Sequence, residues 1–470
     1  MSRWIVAYDN YDCAEKAGVN FIYREISSRV GYVLPVKFFL ALTEKDKTEN
    51  SIVFVCTSDK NADTARFFAD LQPVPDKDEG YSISVGKSAF SADRQMIVIA
   101  GKDDRGALYG CVDLVKEYIG ARVDIDFDST LPEWKKRAFP KIKTRAVWTW
   151  GHVIYDYRGF FENMAKLKMN EIVIWNDVAP LNADEVVGYA HSLGIKVIWG
   201  FAWGWTTKCR EAIENLDNAS LLSLKKQIIS TYENEYASIN GDGIYFQSFT
   251  ELGSEIVDGK CVAEIVTELV NDVSGTLLKK YPSLEIQFGL HATSVAERLD
   301  IIKKVDSRVR IVWEDQGAFP FSYDAEKVEN YEKTLDFVKK TAVLRGVNER
   351  FGAVIKGMLN LDWTTFEHFA SPFLLGEKSA DFIARRADEK REKWRAATLS
   401  WQKNAEYARR MIDEISTLDS DAVIEALIED AMLEHEICFP AALLSEILWS
   451  PDENIDLLIE KARKNPFVKV

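Results

Sequence analysis

The chain has 470 residues, 47% hydrophobic and 28% charged, the balance of an ordinary soluble protein with ample core and length for two or three domains. A formal net charge of -15 argues against a nucleic-acid partner, because a phosphate backbone calls for a basic surface. No run approaches the roughly 20 apolar residues of a membrane helix, and the start, MSRWIVAYDNYDCAEKAG, lacks the apolar centre of a secretory signal. The six cysteines (Cys13, Cys56, Cys111, Cys209, Cys261, Cys438) show no CxxC spacing, which points to a reduced, cytoplasmic protein without a zinc site.

Residues 1–138 read as an α/β domain. RWIVAY, SIVFVC, YSISV and QMIVIA are short β-branched runs, and YDCAEKAGVNFIYREISSRVG and NADTARFFADL between them carry apolar residues at helical spacing. The last unit is QMIVIAGKDDRGALYGCVDLVKEYIGA: a strand, a turn, then a helix that Asp103 or Asp104 is placed to cap. Its glycines do not match GxGxxG and no GK[ST] follows, so a phosphate-binding loop is not indicated.

The run Ile97-Val-Ile-Ala-Gly101, then Arg105-Gly-Ala-Leu-Tyr-Gly110 and Leu114, resembles the small α/β domain that precedes the catalytic barrel in α-glucuronidases and β-N-acetylhexosaminidases. That resemblance implies a glycoside hydrolase fold and leaves the substrate open.

LPEWKKRAFPKIK, with Pro132 and Pro140, reads as a linker into a second domain, 139–376, where apolar strands alternate with amphipathic helices. The strands are TRAVWTW (144–150), EIVIW (171–175), KVIWGF (196–201), GIYFQS (243–248), EIQFGL (285–290), RIVWE (310–314) and AVIKGML (353–359), with PFLLG (372–376) as a weaker eighth. Such a series predicts a (β/α)8 TIM barrel, usually about 250 residues long. Residues 377–470 read as a C-terminal helical region. Its charge-laced first part marks a solvated face, and its apolar second part suggests a homodimer interface. An α/β domain, a barrel and a helical tail also follow one another in the α-glucuronidases, so the domain order extends the resemblance.

In a parallel barrel, side chains at the carboxyl ends of the strands converge on one mouth. Aromatic side chains are dense there. Trp150, Trp203, Trp205, Trp313 and Trp363 read as walls for a sugar ring, with Trp175 and Asn176 at the end of the second strand, while Trp148 and Trp199 read as core. Glycoside hydrolysis normally needs two carboxyl groups. Glu251, after the fourth strand, is the candidate general acid, its proton affinity raised by a shell that includes Phe246 and Phe249.

Asp315 or Glu314, after the sixth strand, supplies the second carboxylate; because successive residues point to opposite faces, Asp315 is preferred as sharing a face with Trp313. The resemblance implies an acid in the Glu251 position and base carboxylates on later strands. Hexosaminidases carry an adjacent acidic pair after the fourth strand, where this chain has Gln247, Ser248, Phe249, Thr250 and Glu251.

His152 and His291 are placed to donate hydrogen bonds to sugar hydroxyls, Asp362 to hold paired hydroxyls, and Lys356 to meet the carboxylate of a uronic acid. Grouping His152, His291, Asp315 and Glu251 around a metal finds no HxH or HxxxH spacing, so neither metal nor cofactor is expected. The expected activity is that of an exo-acting glycosidase on an oligosaccharide or glycoside, with a uronic acid or a hexosamine as the sugar. The alternatives are a non-catalytic carbohydrate-binding barrel and a metal-dependent lyase or isomerase on the same fold.

Overall fold

The computed structural model of the chain describes residues 3–58, 73–120, 125–150, 153–176, 178–204, 217–251, 256–257, 259–291, 296–315, 331–358, 367, 369, 372–428 and 432–469. The chain divides into two compact units, one formed by Met1–Lys141, His191–Gly194 and Lys461–Lys469, the other by Ile142–Ala190 and Ile195–Glu460.

The first unit is built on a six-stranded sheet of β1 (Arg3–Tyr8), β2 (Val36–Phe38), β3 (Asn50–Thr57), β4 (Tyr81–Lys87), β5 (Gln95–Gly101) and β6 (Trp134–Ala138), in the order β2-β1-β3-β5-β4-β6. β2, β1, β3 and β5 are parallel; β4 runs against them, and β6, antiparallel to β4, runs with them again. NSIVFVCT is apolar almost throughout because β3 is buried along its length. The helix Asp104–Asp113 is capped by Asp103, whose carboxylate accepts from the Gly106 N–H at 2.8 Å.

The glycines of that turn are there for close packing. A Cβ on Gly101 would stand 2.1 Å from the Ala107 nitrogen, and one on Gly106 would stand 2.4 Å from the Gly80 oxygen. The expected linker is in part the edge strand β6. Its Lys136 reaches inward to the buried Asp113 at 2.6 Å, an ion pair that Tyr81 completes by donating its hydroxyl to the same carboxylate. The predicted helix NADTARFFADL lies outside the described residues.

The second unit is a closed parallel barrel. Its strands are β7 (Thr144–Trp148), β8 (Glu171–Trp175), β9 (Lys196–Gly200), β10 (Gly243–Gln247), β13 (Glu285–His291), β14 (Val309–Glu314), β15 (Phe351–Met358) and β16 (Val423–Ile428); a short antiparallel hairpin, β11 (Ile256–Val257) and β12 (Lys260–Cys261), follows β10. Helices follow the barrel strands in turn, the longest being Ala380–Leu418 after β15 and the last of the series Phe439–Trp449 after β16.

The eighth strand is therefore Val423–Ile428 and not 372–376. Backbone groups of 372–376 are taken up elsewhere: Asn182 exchanges two hydrogen bonds with Leu375 (3.0 and 2.9 Å), and Phe373 accepts from the Leu181 N–H. The segment expected to be a helical tail thus begins with the crossover helix of the seventh barrel unit and contains the whole of the eighth. Phe439–Trp449, whose apolar length suggested a subunit interface, is buried in the single chain.

Inside the barrel the upper layers are Trp148, Val173, Trp175, Ile198, Tyr245, Val312, Val354 and Leu427, and Trp150 packs with them. The lower layers are unusually polar for a barrel core, which is ordinarily filled by branched apolar residues. Gln287 donates to Glu171 at 3.0 Å, and Arg310 donates to Glu285 at 3.0 Å and to Asp421. Glu425 is fully buried, and among the described residues neither carboxyl oxygen has a hydrogen-bond partner. Burial, then the nearby Glu171 and Glu314, pushes its proton affinity far above the ordinary carboxyl range. Burial beside Glu285 likewise lifts Glu171 to about 7, whereas Arg310 overcomes burial at Glu285 and holds that group below its usual value.

Candidate active site

Strand alternation decides which predicted groups meet at the carboxyl end of the barrel. Tyr245 and Val312 point inward, so Gln247 and Glu314, two residues further along β10 and β14, point inward as well. Glu314 is fully buried and accepts from the Tyr245 hydroxyl (2.7 Å), the Gln247 amide (2.9 and 2.7 Å to its two oxygens) and the Lys356 ammonium (2.6 Å). Burial works to raise its proton affinity, but the Lys356 charge and these donors prevail and hold the carboxyl below its ordinary value.

A close approach and a bulge make this network possible. A Cβ on Gly289, on the neighbouring strand β13, would stand 2.2 Å from Glu314 Oε1 and 2.6 Å from the Tyr245 hydroxyl. Lys356 sits where β15 slips by one residue against β16, between Ile355 and Met358. Its ammonium lies 5.1 Å from the Trp148 ring centre and 5.9 Å from that of Trp150, a cation over two aromatic faces.

Those two rings stack in parallel at 5.8 Å, and Trp175 meets Trp148 and Tyr245 edge-on at 6.3 and 5.9 Å. Among the described residues, the indole N–H groups of Trp148 and Trp175 are buried without an acceptor. Buried donors ordinarily find partners, so these two are suited to acceptor atoms of a bound molecule. His291 ends β13 in register with Glu314; burial and then the Lys356 charge lower its proton affinity to about 4, leaving a neutral imidazole able to donate one hydrogen bond and accept another.

Several expectations need correction. Of the adjacent pair it is Glu314 that enters the barrel; Asp315, on the opposite parity, accepts from the Lys356 backbone N–H at 3.3 Å and donates its own N–H to Val354. Trp313 shares that outer parity and is buried. Trp203 is fully buried and lies flat on Phe246, ring centres 3.6 Å apart, on the outer face of β10; it is packing and not wall.

Asn176 is consumed by the main chain, its amide accepting from the Phe369 N–H at 3.0 Å and donating to the Val178 carbonyl at 3.2 Å. Lys356 is engaged by Glu314. Trp148, expected in the core, is fully buried there, and of the two indole rings beside the Lys356 ammonium it is the nearer. Its inward register on β7 turns it into the barrel interior.

Glu251 closes a short turn, Phe249–Glu251, immediately after β10; its side chain lies outside the described residues, as do His152, Trp205, Asp362 and Trp363. Among the described residues no group of three or more His, Cys, Asp and Glu is arranged to hold a metal ion, and no helix is long and apolar enough to cross a membrane.

No protein-family model and no curated relative matches the sequence. Solved structures match over nearly the whole chain. A protein named CpGH84D matches over 98% of this chain and 68% of its own, with a TM-score of 0.58 and 13% identity. The GH20 β-N-acetylhexosaminidase from Streptomyces coelicolor A3(2) matches over 98% and 91% (TM-score 0.53, 11% identity), and the β-N-acetylhexosaminidase from Bacteroides fragilis NCTC 9343 over 98% and 90% (0.52, 12%). The chain shares the fold of these structures, a closed (β/α)8 barrel together with a separate sheet unit.

Proposed function

We propose that the chain is a glycosidase whose sugar site is the carboxyl-terminal mouth of the barrel. The observation that carries this reading is the grouping of Glu314, held ionised by Lys356, with Trp148, Trp150 and Trp175; the buried indole N–H groups of Trp148 and Trp175 have no acceptor among the described residues. Aromatic faces suit the C–H faces of a sugar ring, and the open donors suit its oxygens. The likeness in fold to β-N-acetylhexosaminidases supports the same class of reaction.

In this mechanism Glu251, on the turn after β10, protonates the leaving glycosidic oxygen. Positive charge then develops at the anomeric carbon, and the second carboxylate, Glu314 in place of Asp315, stabilises it electrostatically or directs water. His291, neutral at physiological pH, positions a hydroxyl. Because the Lys356 ammonium is engaged by Glu314, a neutral sugar fits better than a uronic acid. The expected mode is exo-acting.

A non-catalytic sugar-binding barrel is the second reading, favoured by the donors already occupying Glu314. One screen separates the two: chromogenic neutral glycosides, N-acetylhexosaminides and glucuronides are offered to the wild type, Glu251→Gln and Glu314→Gln, with calorimetric binding of the same sugars. Turnover that falls at least about 100-fold in Glu251→Gln, the usual contribution of a general acid, supports the glycosidase. Binding without turnover supports the second reading, and neither binding nor turnover defeats both.

A further inference from the structure

Outside the Glu314 network, the loops at the carboxyl end of the barrel hold another buried carboxyl group. Glu434 lies between β16 and the helix Phe439–Trp449 and is 3% exposed. One carboxyl oxygen accepts the Tyr155 N–H at 2.5 Å, across 279 residues of chain, and the other is buried without a hydrogen-bond partner among the described residues.

Tyr155 belongs to the segment that leaves β7 just after Trp150, and this segment is gripped from its other side as well. The Tyr155 carbonyl accepts from the Lys378 N–H at 3.0 Å, and Asp156 forms an isolated antiparallel bridge with Glu377. The Tyr155 ring lies 4.3 Å under the Arg386 guanidinium, which forks onto Glu367 at 3.3 and 3.0 Å, and it packs on Phe382 at 5.2 Å.

We propose that Glu434 is a positioning residue of the sugar site, a reading that rests on the glycosidase assignment: its carboxyl group clamps residues 153–156, and with them Trp150, across the barrel mouth.

The groups that face Glu434 are the N–H groups of Tyr155 and Asp156 and the Asp156 carboxylate from the β7 loop, and Arg386 from the helix Ala380–Leu418, itself paired with Glu367. Burial outweighs the N–H donors and Arg386 and lifts the Glu434 carboxyl to about 7. Because this value is raised in the folded protein, the stability it confers is complete below the ordinary carboxyl range and is lost as pH rises through about 7. The clamp therefore holds as a neutral carboxyl. Once ionised it must draw in water or compete with Glu367 for Arg386, and the segment loosens.

Amide hydrogen exchange of peptides covering 150–157, in the full chain and corrected for intrinsic rate, tests this. The wild type is expected to protect the segment at pH 6 and to lose about tenfold of protection between pH 6 and pH 8, following the neutral fraction. Glu434→Gln keeps the acceptor without the charge and is expected to protect equally at both pH values. Glu434→Ala is expected to leave the segment unprotected at both, while peptides from β13 and β14 stay unchanged. A pH-invariant wild type, or Glu434→Ala exchanging like wild type, overturns the proposal; if Glu434→Ala fails to fold, the pH response of Glu434→Gln decides.

With a glycoside that the wild type turns over, Glu434→Gln is expected to remove a rise in KM above pH 7 and leave kcat unchanged. A change confined to kcat overturns the positioning role. Absence of any turnover defeats the glycosidase assignment, whereas the exchange result still decides whether the clamp exists.

Discussion

Lys356 and Glu314 make the barrel mouth depend on one ion pair. Both are buried, 2.6 Å apart, and the carboxylate also accepts from Tyr245 and Gln247. Removing one partner of a buried pair leaves an uncompensated charge, at a cost of about 3–5 kcal/mol. Lys356→Met is expected to lose stability in that range in urea unfolding, and Lys356→Met combined with Glu314→Gln to recover most of it; a double variant as unstable as the sum of the singles would show that the pair is not coupled. Since the Glu314 value is depressed in the folded protein, its contribution is present above the ordinary carboxyl range and is lost as pH falls through the lowered value. Gly289→Ala places a methyl group 2.2 Å from Glu314 Oε1 and is expected to destabilise by about 1–3 kcal/mol through overpacking, read in the same titration. The sequence identifies Glu314 and Asp315 as a pair but ties the choice between them to Trp313, and a tryptophan serves equally well as pocket wall or as packing under a helix.

β16 shows how an element escapes a sequence reading. DAVIEALIEDAMLEHE carries charges and good helix formers at helical spacing, and Glu425 interrupts the apolar run that marks a buried strand. Only pairing with β15 on one side and β7 on the other makes it a strand, with Glu425 turned into the barrel. That position has a measurable consequence. Glu425 and Glu171 both have raised values, so the stability they confer is complete below the ordinary carboxyl range and is lost as pH rises through the folded values, about 7 for Glu171. Glu425→Gln is expected to stabilise the chain at pH 8 relative to wild type, with a smaller difference at pH 5, when thermal unfolding is compared at the two pH values. Equal shifts at both would mean that Glu425 does not titrate in the folded barrel.

At the level of the molecule, barrel closure makes the C-terminal stretch integral to the fold. A chain ending at Leu418 retains β15 but lacks β16, leaving β15 and β7 as open edges. Such a chain is expected to aggregate or to lose the cooperative unfolding of the second unit in calorimetry. Unfolding with the full-length heat would show instead that closure contributes little.

Seven of the barrel strands are legible from period and composition alone, because a parallel strand buried on both faces must be apolar and a crossover helix must be amphipathic wherever the chain runs. The order of the candidate acidic groups along the chain, with Glu251 after β10 and the acidic pair at the end of β14, is likewise written in the residues. What only the tertiary structure decides is which face each side chain takes and which strand closes the ring. The inward register of Glu314 over Asp315, the outward packing of Trp203 on Phe246, and the recruitment of Val423–Ile428 all follow from neighbours hundreds of residues apart in some cases, and local propensity carries no record of them.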